Sequence, residues 1–310
     1  MTTAGIVSLC SGYGGLDLAV EAVLDAHTTH VADIDRDACT VLAHRFPDAP
    51  NLGDLRAVDW TGIHADILTA GYPCQPFSHA GRRQGEQDDR HIWPEVLRAI
   101  RALRPGLVVL ENVRGHLSLG FGRVLGDLAE AGFDAEWCLL RASDVGAPHG
   151  RARVFVVAHP HGRRQQGVEE QHGTPQQDPT DRDSSGRHAH RCGVEAASHA
   201  DGQAGDATRR AGGQVHEPGA IERSRRRDCV DSWDWRQFTP AVVRWERLTG
   251  RSAPAPLNGK QLNARFVEWM MGLPEGWVTD LVPNRRALHT LGNGVVPQQA
   301  AAALRSLVAA

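Results

Sequence analysis

Between residues 6 and 160, short apolar runs alternate with segments whose apolar residues recur at helical spacing. This alternation restricts the chain to one class of fold. Ile6–Cys10, Val31–Ile34, Ile67–Ala70, Leu107–Leu110, Trp137–Leu140 and Val154–Ala158 read as strands, with a very short one expected near Ala49–Leu52. Leu16–Leu24, Asp37–Phe46, Ile92–Leu103 (stopped by Pro105) and Phe121–Leu128 read as helices. Nearly uniformly apolar strands separated by helices are covered on both faces. The expected fold is α/β, a doubly wound and mostly parallel sheet.

From His159 to about Asp231 the pattern stops. Val168, Val194, Val215, Ile221 and Val230 are the only large aliphatic residues there, among many Arg, Gln, His, Gly, Asp and Ser. Such a stretch buries too little apolar area to offset an ordering cost of ~1–2 kcal/mol per residue, so it is expected to be mobile. Its clusters Arg163-Arg164 and Arg225-Arg226-Arg227 read either as phosphate contacts or as a solvated linker. Pattern resumes at Trp233-Asp234-Trp235. Thr239 is expected to cap a helix that carries Pro240 in its first turn and ends at Gly250. Phe266–Met271 is a further helix, and Val295–Val308 an Ala-rich amphipathic one that must return to the first domain. The expected plan is a catalytic and cofactor domain at 1–160, a low-complexity insert at 161–231, a small recognition region at 232–285, and a C-terminal segment, 286–310, that completes the first domain.

The 310 residues carry a formal net charge of −3, so any nucleic-acid surface must be local. Lys260 is the only lysine, and arginine supplies nearly all the positive charge. That bias suits phosphates and base edges, and it equally reflects a GC-rich genome. The six cysteines form no C-x-x-C pair, so no metal site is expected. The N-terminus has no signal-peptide pattern and no apolar run reaches membrane-spanning length. The expected location is the cytoplasm, with reduced thiols.

Ser11-Gly12-Tyr13-Gly14-Gly15 lies between the first strand and the first helix. Glycines there let the backbone approach a ligand, and a tight strand–helix turn is the plainer reading. A dinucleotide fingerprint would need a glycine where Asp17 stands, and an acid at a helix start is poor company for a pyrophosphate. A ligand without phosphates fits better. Asp33, at the end of the second strand, can accept from ribose hydroxyls, and Asp54 from an adenine amino group. A phosphate-free nucleoside points to S-adenosylmethionine.

Cys74 stands in Gly71-Tyr72-Pro73-Cys74-Gln75-Pro76-Phe77-Ser78, beyond a strand rather than inside an apolar run as Cys138 is. Strand ends are where doubly wound sheets place active sites. An ordinary thiol is only about one-tenth thiolate near pH 7.5. Attack on a ring carbon therefore needs a lowered pKa or a proton supplied to the substrate. Glu111, in Glu111-Asn112-Val113 after the neighbouring strand, can supply that proton if burial raises its pKa. A strand-end helix cap is the alternative role for Glu111. Arg151 and Arg153 alternate onto one side of the last strand, where they can orient Glu111 or hold a carbonyl or phosphate, unless they form a solvated edge.

In order and spacing these residues resemble the cytosine-5 DNA methyltransferase family, over most of the chain except roughly 160–231. Val7–Leu16 resembles the family's cofactor loop, Asp33 stands for its ribose-binding glutamate, and Ile34 would border the adenine. Asp54 and Leu55 resemble the adenine-reading pair. Pro73-Cys74-Gln75 resembles the nucleophile motif, Glu111-Asn112-Val113 the protonating motif, and Arg151 and Arg153 the paired arginines. Arg265–Gly272 resembles the support of the recognition region, and Gly292-Asn293-Gly294-Val295 the returning cofactor motif. Two residues depart from the pattern: Cys10 where phenylalanine is common, and His149 where glutamine is usual.

The resemblance implies a DNA cytosine-5 methyltransferase, bacterial or phage-encoded, that flips its cytosine out of double-stranded DNA. Cys74, Glu111, Arg151 and Arg153 would be its catalytic residues. Ser11, Gly12, Tyr13, Gly14, Gly15, Asp33, Ile34, Asp54, Leu55, Gly71, Pro73, Asn293, Gly294 and Val295 would hold the cofactor. Gln75, Ser78, Gly81, Arg82, Arg90, Arg236 and Arg244 would touch DNA. A monomer is expected, with a cognate restriction endonuclease as functional partner. Rival readings are a tRNA cytosine-5 methyltransferase, an inactive DNA-binding regulator of the same fold, and a nicotinamide dehydrogenase, the last disfavoured by the missing glycine.

Overall fold

The computed structural model describes residues 3–73, 92–162 and 233–309. Six strands form one sheet: β1 (Ala4–Leu9), β2 (Ala26–Ala32), β3 (Ile67–Ala70), β4 (Leu107–Val113), β5 (Phe133–Arg141) and β6 (Ala152–Pro160). Their order is β2-β1-β3-β4-β6-β5. β1 pairs in parallel with β2 and β3, β3 pairs in parallel with β4, and β6 is antiparallel to β4 and β5. The chain winds outward in both directions from β1, so a crevice opens at the carboxyl ends of β1 and β3. The mostly parallel, doubly wound expectation holds.

The helices begin where the sequence supplies starting chemistry. α1 (Gly15–Leu24) follows Gly14, whose φ of 80° is left-handed. A Cβ at Gly14 would also run into the Phe46 ring, so space and backbone both select glycine. α2 (Arg36–Arg45) is capped by Asp35, which accepts from the Asp37 and Ala38 amides. α3 (Trp93–Leu103) carries Pro94 in its first turn. α4 (Phe121–Glu130) buries Phe121, Val124 and Leu128. One core, including Val96, Ile100, Leu128 and Val156, fills the sheet face under α3 and α4. The other, including Ile6, Val20, Phe155 and Leu304, fills the opposite face. That second core joins α1 to α8 (Pro297–Val308), the returning C-terminal helix.

Past the insert come α5 (Thr239–Thr249), a small hairpin of β7 (Leu257–Asn258) and β8 (Gln261–Leu262), α6 (Ala264–Met270) and α7 (Asn284–Asn293). Their core includes Trp245, Trp269, Leu273 and Leu291, and it also takes in Tyr13, Val41, Ala142 and Ala147 from the first part of the chain. Glu268, 2% exposed, accepts from the Gly276, Val278 and Thr279 amides and from the Thr279 hydroxyl. This buried carboxylate shapes the loop that leads to Trp277, whose Nε1 donates to the Tyr13 carbonyl at 2.9 Å.

Several local expectations are corrected. The short strand near Ala49–Leu52 is a single parallel bridge, Val31 to Asn51. β2 begins five residues earlier than expected and ends at Ala32, because its polar first half, Ala26-His27-Thr28-Thr29-His30, hides the period. Thr239 does not cap α5. It is the first helical residue, and its hydroxyl donates back to the Arg236 carbonyl. α7 is not among the expected helices; it runs up to the returning motif and takes in Gly292 and Asn293. The stretch at 161–231, apart from its first two residues, lies outside the described residues.

Candidate active site

A cleft of about 880 Å³ opens at the carboxyl ends of β1 to β4, with residues of α7 on its other wall. Glu111 forms part of its floor. β4 runs three residues further than the apolar run alone implied, so Glu111 sits within the strand and opposite Phe155 of β6. Arg153, two residues before Phe155, is its diagonal cross-strand neighbour. The Arg153 Nε lies 2.7 Å from Glu111 Oε1, and both side chains are nearly out of solvent. Burial pushes the Glu111 pKa up to about 7, while Arg153 and then Arg151 pull it down. Near neutral pH this carboxyl can both hold and release a proton.

The two arginines divide their work. Arg153 meets Glu111, whereas Arg151 donates to the carbonyls of Gly292 (2.9 Å) and Gly294 (2.7 Å) at the end of α7. Arg151 stands just before β6 and Arg153 within it, and alternation gave no sign that only one forms an ion pair with Glu111. His149, which precedes them, sits 3.1 Å through Nε2 from the Met270 carbonyl and ties this loop to α6. Burial lowers its pKa, so the neutral ring is favoured.

At the other end of the cleft lie Gly12, Asp33, Ile34, Asp54 and Leu55. Asp33 and Ile34 fall just beyond β2. The Asp33 carboxylate accepts from the amides of Gly12 and Asp35, both at 2.8 Å, which aims it across the glycine loop. Ile34 lines the cleft and is 69% exposed, a large apolar side chain at its surface. Asp54 starts a 3-10 turn, Leu55–Ala57, by accepting from the Arg56 amide at 3.0 Å. Asp33, Asp35 and Asp54 outnumber the one cation here, Arg56 beside Asp54, so this end is net acidic, which opposes a phosphate and suits a cationic nucleoside such as S-adenosylmethionine. The residues present therefore fit the expected cofactor.

The glycine loop is braced from below and behind. Asp17 does not face the cleft: it is 1% exposed and accepts from the Ser8 hydroxyl at 2.8 Å and the Thr69 hydroxyl at 2.5 Å. Ser8 also bonds Ser11, whose oxygen accepts from the Ala32 amide at 3.2 Å. The Tyr13 hydroxyl donates to the Val295 carbonyl at 2.6 Å, and a Cβ on Gly294 would collide with the Tyr13 ring. Loop and returning motif are thus interlocked. Gly15 stands against the same ring, and Asn293 and Gly294 line the cleft. Cys10, at a positive φ of 51°, also lines the cleft, and burial pushes its thiol up to about 12, far from a nucleophile.

Gly71 and Pro73 follow β3 and line the cleft. A Cβ on Gly71 would lie 3.6 Å from Glu111 Oε2. Asn112 holds this turn by donating to the Tyr72 carbonyl at 2.9 Å. Cys74, Gln75, Ser78, Gly81, Arg82 and Arg90 lie outside the described residues. Arg236 and Arg244 are exposed; Arg236 lies 3.5 Å from Asp234, and Arg244 donates to the Gly146 carbonyl at 3.3 Å. Trp245 is core, donating to the Trp269 carbonyl at 2.9 Å, while Trp233 is 44% exposed.

A model of the C-5 cytosine-specific DNA methylase family matches residues 4–309 of the chain. The chain belongs to that family. Among its relatives are the Type II methyltransferases M.NgoMIV of Neisseria gonorrhoeae and M.BanI of Aneurinibacillus aneurinilyticus, each 35% identical over 49% of this chain. The matched stretch spans 50% of the first relative and 37% of the second. In fold, this family member resembles a Spodoptera frugiperda DNMT2 (TM-score 0.59, 15% identity, 99% of this chain and 100% of that one). The Entamoeba histolytica methyltransferase EhMeth is similar in the same way (TM-score 0.59, 14% identity, 100% and 99%). Among the described residues, no helix of this methylase-family chain is long and apolar enough to cross a membrane.

Proposed function

We propose that this chain transfers a methyl group from S-adenosylmethionine to carbon 5 of a cytosine in double-stranded DNA. The observation that carries the reading is a single cleft joining two chemistries. At one end is a buried, protonatable Glu111 held by Arg153. At the other is an acidic and apolar nucleoside ledge of Asp33, Ile34 and Asp54.

The target carbon is inaccessible inside a duplex, so the cytosine must be flipped into the cleft at a cost of a few kcal/mol. The Cys74 thiolate adds to carbon 6 while Glu111 gives its proton to ring nitrogen 3, so that the added electron pair comes to rest at carbon 5. Arg153 holds the Glu111 carboxyl toward the ring and stabilises the carboxylate that remains. S-adenosylmethionine, when bound, supplies the electrophilic methyl group. A base or water then takes the carbon 5 proton, the carbon 6–sulfur bond breaks, and nitrogen 3 returns its proton to Glu111. Pro73, which precedes Cys74 in the chain, lines the same cleft, and Asn112 braces its turn. The relatives are named Type II methyltransferases, in keeping with a restriction endonuclease as functional partner. A monomer suffices for this chemistry.

The test is duplex DNA carrying 5-fluorocytosine, whose fluorine cannot leave as a proton does. The wild-type chain should form a denaturant-resistant adduct in the presence of cofactor, and Cys74→Ser should form none while still binding cofactor. Absence of the adduct in the wild type would refute covalent catalysis. Methyl transfer to tRNA in place of DNA would move the same chemistry to the other substrate.

A further inference from the structure

We infer that Arg98 of α3 is a positioning residue that fixes the Asp54–Leu55 ledge and thereby sets the preference for a purine bearing a 6-amino group. The inference rests on the cofactor reading above. The ledge is a single 3-10 turn, Leu55–Ala57, between Asp54 and Val58. Such turns have poor internal hydrogen bonding and hold a shape only when other groups complete them. Here one guanidinium does so. Arg98 Nη2 donates to the Leu55 carbonyl, and Nη1 donates to the Val58 carbonyl at 3.1 Å.

The guanidinium is itself aimed. Its Nε donates to Glu95 Oε2 at 2.7 Å, one turn earlier on the same helix, and its carbon lies 5.9 Å from the centre of the Trp60 ring. A planar fork held at three edges fixes both the direction and the spacing of the two carbonyls it grips, which a lysine ammonium cannot do. On the cleft side of the same turn, the Asp54 carboxylate is half-exposed, with Oδ1 accepting from the Arg56 amide and Oδ2 3.5 Å from the Arg56 guanidinium. A fixed acceptor favours an amino group and repels a carbonyl oxygen. A mobile acceptor lets water intervene and loses the distinction. Arg98 does not line the cleft, so it acts only by holding the acceptor still.

Calorimetry with S-adenosylhomocysteine and its inosine counterpart, which carries a 6-oxo group, tests this on the full chain. The wild type should prefer the adenine ligand by about tenfold or more, the usual consequence of setting one acceptor against another. Arg98→Met should weaken the adenine ligand and bring the ratio close to one, with DNA affinity measured without cofactor unchanged. Arg98→Lys should fall between. A merely structural role would lower melting temperature and weaken both ligands equally, leaving the ratio intact. A wild-type ratio retained in both variants overturns the inference while the cofactor reading stands. A wild type that binds both ligands alike also overturns it, and one that binds neither removes the cofactor reading itself. If Arg98→Met fails to fold, as circular dichroism would reveal, the Arg98→Lys ratio decides alone.

Discussion

Arg153 Nε and Glu111 Oε1 lie 2.7 Å apart across two antiparallel strands, in a part of the cleft that is almost closed to solvent. Burial raises the Glu111 pKa to about 7 and the arginine opposes that rise. The acid form does the proposed work, so activity should decline as pH rises through about 7. In kcat/KM this appears as a basic limb. Arg153→Met removes the opposing cation, so the limb should move to higher pH even as the maximum falls. Glu111→Gln should lower kcat by about 10²–10⁴ and abolish the limb, with cofactor affinity within about twofold of wild type. A pH–rate profile unchanged in shape in Glu111→Gln would remove the general-acid role.

Asp17 gives a prediction about stability. Burial raises its pKa from 3.8 to about 6, against the two hydroxyls that lower it. The folded state therefore holds the proton more tightly than the unfolded one. That stability is full below about pH 4 and is lost as pH climbs through about 6, on the order of 2–3 kcal/mol in all. Asn cannot titrate and can still bond both hydroxyls once one reorients. Asp17→Asn should thus lose less stability than wild type between pH 4 and pH 7. Denaturant melts across that range measure the difference, and parallel curves for the two proteins would contradict it.

Gly294→Ala places a methyl group into the Tyr13 ring at the junction of the glycine loop and the returning motif. The backbone there has an ordinary negative φ, so the cost is one of space alone. Destabilisation of about 1–3 kcal/mol is expected, with weaker cofactor binding because the loop must shift. Gly12→Ala should leave the core packing intact, since a Cβ there meets nothing within 4 Å. Its φ of +57° should still cost about 1 kcal/mol. Thermal melts that rank the two variants in the opposite order would refute this account.

The arginines of the small region should separate into two kinds. Arg251 donates to the Leu273 carbonyl, so Arg251→Ala should lower melting temperature. Arg236 is exposed and pairs with an equally exposed Asp234, so Arg236→Glu should leave stability within about 0.5 kcal/mol. If Arg236 contacts a phosphate, that variant should lower the salt slope of DNA binding by ~1 for every sequence alike. An unchanged slope would place recognition elsewhere.

Much of the fold was legible because periodicity survives wherever a segment is uniformly buried. β3 is fully buried and the apolar part of β4 is a continuous aliphatic run, so their positions are legible directly. The first half of β2 is not legible because its residues are polar, and α7 is not legible because Gly292 and the polar residues around Ala287 and Leu291 obscure its spacing. Candidate residue types for the site could be named from the sequence too, since few chemistries require a cysteine beyond a strand, a carboxylate at the next strand and an acid past the second; of these, Cys74 lies outside the described residues. What could not be read is which groups touch. Arg151 and Arg153 look equivalent in sequence, yet one grips a carboxylate and the other two carbonyls 141 and 143 residues away.

The sequence by itself determined the alternating architecture and named the candidate reacting groups, because both are properties of local composition and spacing. Only the tertiary structure decided the state of Glu111, the inward turn of Asp17 and the lock between Tyr13 and Val295. These depend on desolvation and on contacts between segments remote in the chain. Both arise when strands pair and helices close over them, and neither leaves a mark on neighbouring residues.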